Sequence, residues 1–138
     1  MASSLSRWAG GLSIAAGAVH GVVSPGHFAE WWGYGLFFVV AATAQLVLGL
    51  ALLTDAVNPR DGGPGWRSMW RGMVWAGIAG NLLILALYAV TRTVGIPFFG
   101  PEAGRIEEVG VLDVVSGACE VAIVALLAVQ ARQGPPQE

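Results

Sequence analysis

The sequence predicts an all-α fold, a four-helix bundle embedded in a membrane with both termini on the inner side. Three observations predict it. Apolar residues make up 55% of the 138 residues and charged residues only 12%, about half the charged share of a soluble domain. Mean hydropathy is +0.65. The apolar residues fall into four long segments separated by Pro- and Gly-rich breaks. A hydrocarbon core of about 30 Å takes roughly 20 helical residues, and each segment approaches that length.

The first segment is expected to be helical over 8–23. Ser24-Pro25-Gly26 is expected to end it, because proline removes a backbone donor and crowds the preceding turn. One arginine followed by small residues gives the segment a superficial likeness to a signal peptide. No small-x-small cleavage site leads into a soluble domain, so it is expected to stay as the first helix. The second helix is expected over 33–57. Asn58-Pro59 and the run Asp61–Gly65 separate it from the third, over 72–94. Ile96-Pro97 and Gly100-Pro101 separate that from the fourth, over 109–131. Residues 133–138, rich in Gln and Pro, read as a disordered tail. Everything before them forms one domain.

Charge sets the expected orientation. The basic residues are all arginine, and four spans place five on one side (Arg7, Arg60, Arg67, Arg71, Arg132) and two on the other (Arg92, Arg105). Cytoplasmic loops carry the excess of positive charge, so both termini are expected in the cytoplasm and the chain in the cell's inner (plasma) membrane. Trp8, Trp66 and Trp70 then mark the inner interface and Trp31 and Trp32 the outer one. Small residues let membrane helices approach. Gly17 and Gly21 on the first helix, with Gly77 and Gly80 on the third, are the expected contact points.

Composition also excludes. A net charge of −2 argues against nucleic acid, which calls for basic patches. The single cysteine, Cys119, permits no intrachain disulfide and no multi-cysteine metal site. GxSxG, P-loop, GxGxxG and HExxH motifs are absent, and the reading leans away from an enzyme.

What remains is a set of polar stripes at helical spacing. Asp113, Ser116, Gly117 and Glu120 share one face of the fourth helix. Ser13, Gly17, His20, Ser24 and His27 share a face of the first if it continues past Pro25. Tyr34, Phe38 and Gln45 line up on the second, and Asn81, Tyr88 and Arg92 on the third. At 1.5 Å per residue, Gln45, Asn81 and Glu120 all lie roughly 14–18 Å deep, near the midplane. His20 and Asp113 sit closer to the outer surface, beneath loops carrying Glu30, Glu102, Glu107 and Glu108. A carboxylate at that depth costs about 2.5–3.5 kcal/mol unless it finds a partner, a proton or water.

Four readings of this column stand side by side. Gln45, Asn81 and Glu120 form a closed hydrogen-bond network that fixes helix register. Or His20, His27, Glu107, Asp113 and Glu120 bind a divalent cation such as Zn, Mn or Fe, for which N and O ligands are suited. Or Glu120 handles protons or cations, with Asp113 and Arg92 paired at the outer mouth. Or Gln45, Asn81, Tyr88, Arg92 and Glu120 orient a small organic or lipid ligand among the aromatic residues crowded on the outer side. The last three share the leading expectation: an outward-facing acidic, His-containing site that binds a cation or small ligand, in transport or sensing. The alternatives are a non-catalytic accessory subunit of a larger membrane complex and a metal-dependent membrane enzyme. Beyond the bilayer, the expected partners are a second copy of the chain or such a complex.

The stretches HGVVSPGHFAEWWGYGLFF and TRTVGIPFFGPEAGRIEEVGVLDVVSGACE resemble two halves of a kind of small bacterial four-helix membrane protein. That kind of protein has no assigned activity. The resemblance implies four spans, flags the same polar residues and transfers no chemistry.

Overall fold

The computed structural model describes residues 3–57 and 64–134. They form four helices: α1 (Ser4–Glu30), α2 (Trp32–Thr54), α3 (Pro64–Thr93) and α4 (Val111–Gln133). No strand occurs among the described residues. The helices α2, α3 and α4 are long and apolar enough to cross a membrane. α1 is long enough at 27 residues, but its glycines, serines and two histidines dilute its apolar content. The tail beyond Gly134 and the Asn58–Gly63 stretch lie outside the described residues.

The expected break at Pro25 does not occur. α1 runs through it to Glu30. A proline leaves the carbonyl four residues earlier without its backbone donor, and here that carbonyl is Gly21. The Ser24 hydroxyl donates to Gly21 O at 2.9 Å, so the helix keeps the bond that Pro25 cannot make. The helix stops at Trp31, whose extended backbone (φ −168°) turns the chain into α2 in one residue. α3 likewise begins earlier than expected, at Pro64, where a missing N–H costs nothing in a first turn. It ends on Gly95 (φ +70°), whose N–H donates to Val90 O. A Cβ at Gly95 would lie 2.6 Å from the Gly104 carbonyl carbon, so only glycine fits that turn. α4 is capped by Asp113, whose Oδ2 accepts from Gly110 N at 2.9 Å.

The helices pack as a ring, α1 against α2 and α4, and α4 against α3. α2 and α3 meet only narrowly, and the backbones of the diagonal pairs stay apart. The α1–α2 seam is close because glycine faces backbone. A Cβ at Gly49 would lie 2.7 Å from Gly10 O, and one at Gly17 3.0 Å from Ala42 O. Gly21 and Gly80, expected at contacts, face open space instead. Gly77 does sit in one, against Leu127 and Leu48.

Burial is inverted relative to a water-soluble bundle. Val22, Val40, Val47, Leu50, Leu83 and Val121 are exposed, while Ser13, His20, Gln45, Asn81, Ser116, Glu120 and Gln130 are buried. A compact apolar core, including Ala9, Leu52, Trp70, Val74, Ile123 and Leu127, fills the end of the bundle nearest the N-terminus. The other end, beneath the loop of residues 94–110, is not filled in this way.

Candidate functional site

All four helices contribute to a polar network at mid-height. Glu120, 1% exposed, presents Oε1 to three neighbours. His20 Nε2 lies 2.9 Å away. The Ser116 hydroxyl donates at 3.0 Å and lies 3.3 Å from the same histidine nitrogen. Gln45 Nε2 stands at 3.5 Å and donates to Asn81 Oδ1 at 3.2 Å. Asn81 in turn donates to Gly77 O at 2.8 Å, and Ser13 donates to Gln45 O at 2.7 Å. The depth estimate made from sequence placed Gln45, Asn81 and Glu120 together, and they are joined. Position 116 stands one turn before 120 in α4, so Ser116 reaches the same carboxylate; His20 reaches it because α1 packs on α4.

A second cluster lies above, at the loop end. Arg92 donates to Asp113 Oδ2 at 2.8 Å and pairs with Glu107; its guanidinium lies 5.0 Å from the Tyr88 ring centroid. The expected Asp113–Arg92 pair is therefore present, and Glu107 joins it. Glu102 pairs with Arg105 and holds the Arg105 guanidinium above its ordinary pKa, through the hydrogen bond first and the charge second. The Tyr34 hydroxyl donates to Phe99 O at 2.8 Å and accepts from Glu102 N, which ties the loop to the start of α2.

Between the two clusters is a cavity of about 520 Å³. His20 and Glu120 line its deep end, and Arg92, Asp113 and Glu107 its upper wall. Phe37, Phe38, Leu87 and Tyr88 form apolar sides along the α2–α3 seam. Large side chains hold those two helices apart there. Gln45 and Asn81 do not line the cavity; they stand behind Glu120.

The expected metal set is not assembled. Among the described residues, no three His, Cys, Asp or Glu side chains are grouped to hold an ion. The reason is competition for charge. Arg92 engages both Glu107 and Asp113. His27 lies 3.2 Å from Glu30 Oε2 and stacks on Phe38 at 4.0 Å between centroids. Only His20 and Glu120 of the five meet directly.

One buried residue escaped the sequence analysis. Gln130 continues the Ser116, Glu120, Ile123, Leu127 face of α4 and is 5% exposed; Ser6 donates to its Oε1 at 3.4 Å. The spacing of four, three, four and three was the available signal. Gln45 Oε1 is also buried with no partner among the described residues.

No protein-family model matches the chain, and neither the curated proteins nor the solved structures contain a match.

Proposed function

We propose that the chain is a multi-pass protein of the cell's inner membrane, spanning it four times with both termini cytoplasmic, and that its outer half binds a small ligand, in transport or sensing. The observation that carries this reading is the 520 Å³ cavity with His20 and Glu120 at its deep end. Small-molecule sites run from roughly 300 to 1,000 Å³ and pair apolar walls with a few convergent polar groups. The inverted burial supports membrane residence, since lipid accepts the exposed valines and leucines that water would not. It supports α1 as a fourth span too, because the small and polar face of α1 is the one turned inward. Of the cation and small-ligand alternatives, the small ligand is better supported. The carboxylates near the mouth already have arginine partners, and no ion-sized cage is gathered among the described residues.

The rival is a closed network that only fixes helix register. The two differ in what added compounds do. A ligand that binds only the folded state stabilises it by about 2.7 kcal/mol at a hundredfold excess over Kd. Purified protein in lipid nanodiscs should therefore melt at higher temperature with some members of a chemically varied small-molecule panel. Gly117 lines the cavity, and a Cβ there meets nothing within 4 Å, so Gly117→Phe should fill the space and abolish those shifts. Shifts that persist in Gly117→Phe, or a panel that shifts nothing, would leave the register reading in its place. Orientation is tested separately. In a Cys119→Ser background, a cysteine at Gly63 should resist an impermeant maleimide added to intact cells. Ready labelling would reverse the topology.

A further inference from the structure

The ligand's charge can be taken one step further, resting on the pocket reading above. Four carboxylates line the cavity, Glu102, Glu107, Asp113 and Glu120, against two arginines, Arg92 and Arg105. The lining therefore holds two more carboxylates than arginines. The excess has a definite distribution. Arg105 is balanced by Glu102. Arg92 is shared between Glu107 and Asp113, so that cluster stays net negative. Among the described residues, Glu120 has no arginine partner. Its partners are a histidine, a serine hydroxyl and an amide. A second fact comes from the walls. Phe37, Phe38, Tyr34, Tyr88, Phe98 and Phe99 all face the cavity, and aromatic faces attract a desolvated cation within about 6 Å of the ring. An anion would meet repulsion at both ends of the cavity, where both lining arginines are already paired. A hydrated metal ion would meet apolar walls and no cage.

We infer that the cavity takes a hydrophobic organic cation, an amine or quaternary centre carrying aromatic or alkyl bulk, with its positive centre toward Glu120 and its bulk against the aromatic walls. In a low-dielectric site the carboxylate attracts such a centre far more strongly than in water, and a bulky cation loses little hydration on entering.

The test uses three probes of similar size and different charge: tetraphenylphosphonium, tetraphenylborate and neutral triphenylphosphine oxide. Binding is measured to the full chain in phosphatidylcholine nanodiscs, with binding to empty discs subtracted. Tetraphenylphosphonium should bind at least about tenfold more tightly than the oxide, a difference of about 1.4 kcal/mol, and tetraphenylborate should show no protein-dependent binding. Glu120→Gln should bring the phosphonium down to the affinity of the oxide while leaving the oxide unchanged, which also shows that the variant is folded. Glu120→Asp should restore part of the preference and guards against a Gln variant that fails to fold. Equal binding of the phosphonium and the oxide overturns the charge inference and leaves the pocket standing. So does tighter binding of the borate, or a phosphonium preference that survives in Glu120→Gln. If none of the three binds, the charge inference fails and the panel experiment decides the pocket.

Discussion

The α1–α2 seam and the α2–α3 seam are built from the same helix α2, and they end up opposite in kind. On one side glycine carbonyls lie within van der Waals reach of the neighbouring helix. Gly10 and Gly49 face each other, and a Cβ on either would come within 3 Å of the other's oxygen. On the other side Phe37, Phe38, Leu87 and Tyr88 stand between helices that scarcely meet. Small residues bring membrane helices together because close backbones gain dispersion contacts that lipid cannot match. Large ones prevent that approach. The open seam is where the bundle has room for something else.

The comparison predicts an order of effects, read as unfolding free energy in mixed micelles. Gly49→Val should be the most damaging, at about 3 kcal/mol, since the added methyls meet Gly10 O and Ile14 with no space to relax. If the loss were below about 0.5 kcal/mol, the seam would not be the tight joint described here. Arg92→Gln comes next. It leaves Asp113 and Glu107 without their guanidinium and should cost about 2 kcal/mol, with faster proteolysis in the 94–110 loop as a second readout. Loop protection unchanged from wild type would mean that Tyr34 and the loop backbone suffice. Phe38→Ala, on the open side, removes the stack on His27 and should cost only about 1 kcal/mol while enlarging the cavity. A loss as large as that of Gly49→Val would erase the distinction between the seams. The smallest effect belongs to Gly80→Ala, where the new methyl meets nothing. It should stay within about 0.5 kcal/mol of wild type, and a larger loss would reveal a contact on that face of α3.

Much of this bundle is legible in the sequence. The four helices follow from four apolar runs and the breaks between them. The joined depths of Gln45, Asn81 and Glu120 follow from counting 1.5 Å per residue. The Arg92–Asp113 pair follows from two opposite charges at one end of neighbouring helices. Local bonding hid the rest. Pro25 reads as a stop, and Ser24 silently repairs it. Gly17-x-x-x-Gly21 reads as one contact motif, yet only Gly17 is in contact. Periodicity says which residues share a face and leaves open which face meets which helix.

The sequence by itself determined the helical class, the number of helices, the polar stripes and the end of the bundle that carries the acidic residues. These depend on hydrophobicity and on a fixed helical period, both properties of short stretches of chain. Tertiary structure alone decided which donors reach which carboxylates. Arg92 pairs with Glu107 and Asp113, so the five expected ligands are divided between clusters. It alone decided the cavity as well, because the volume left at a seam depends on how closely two backbones approach. That distance is set by the side chains of both helices at once.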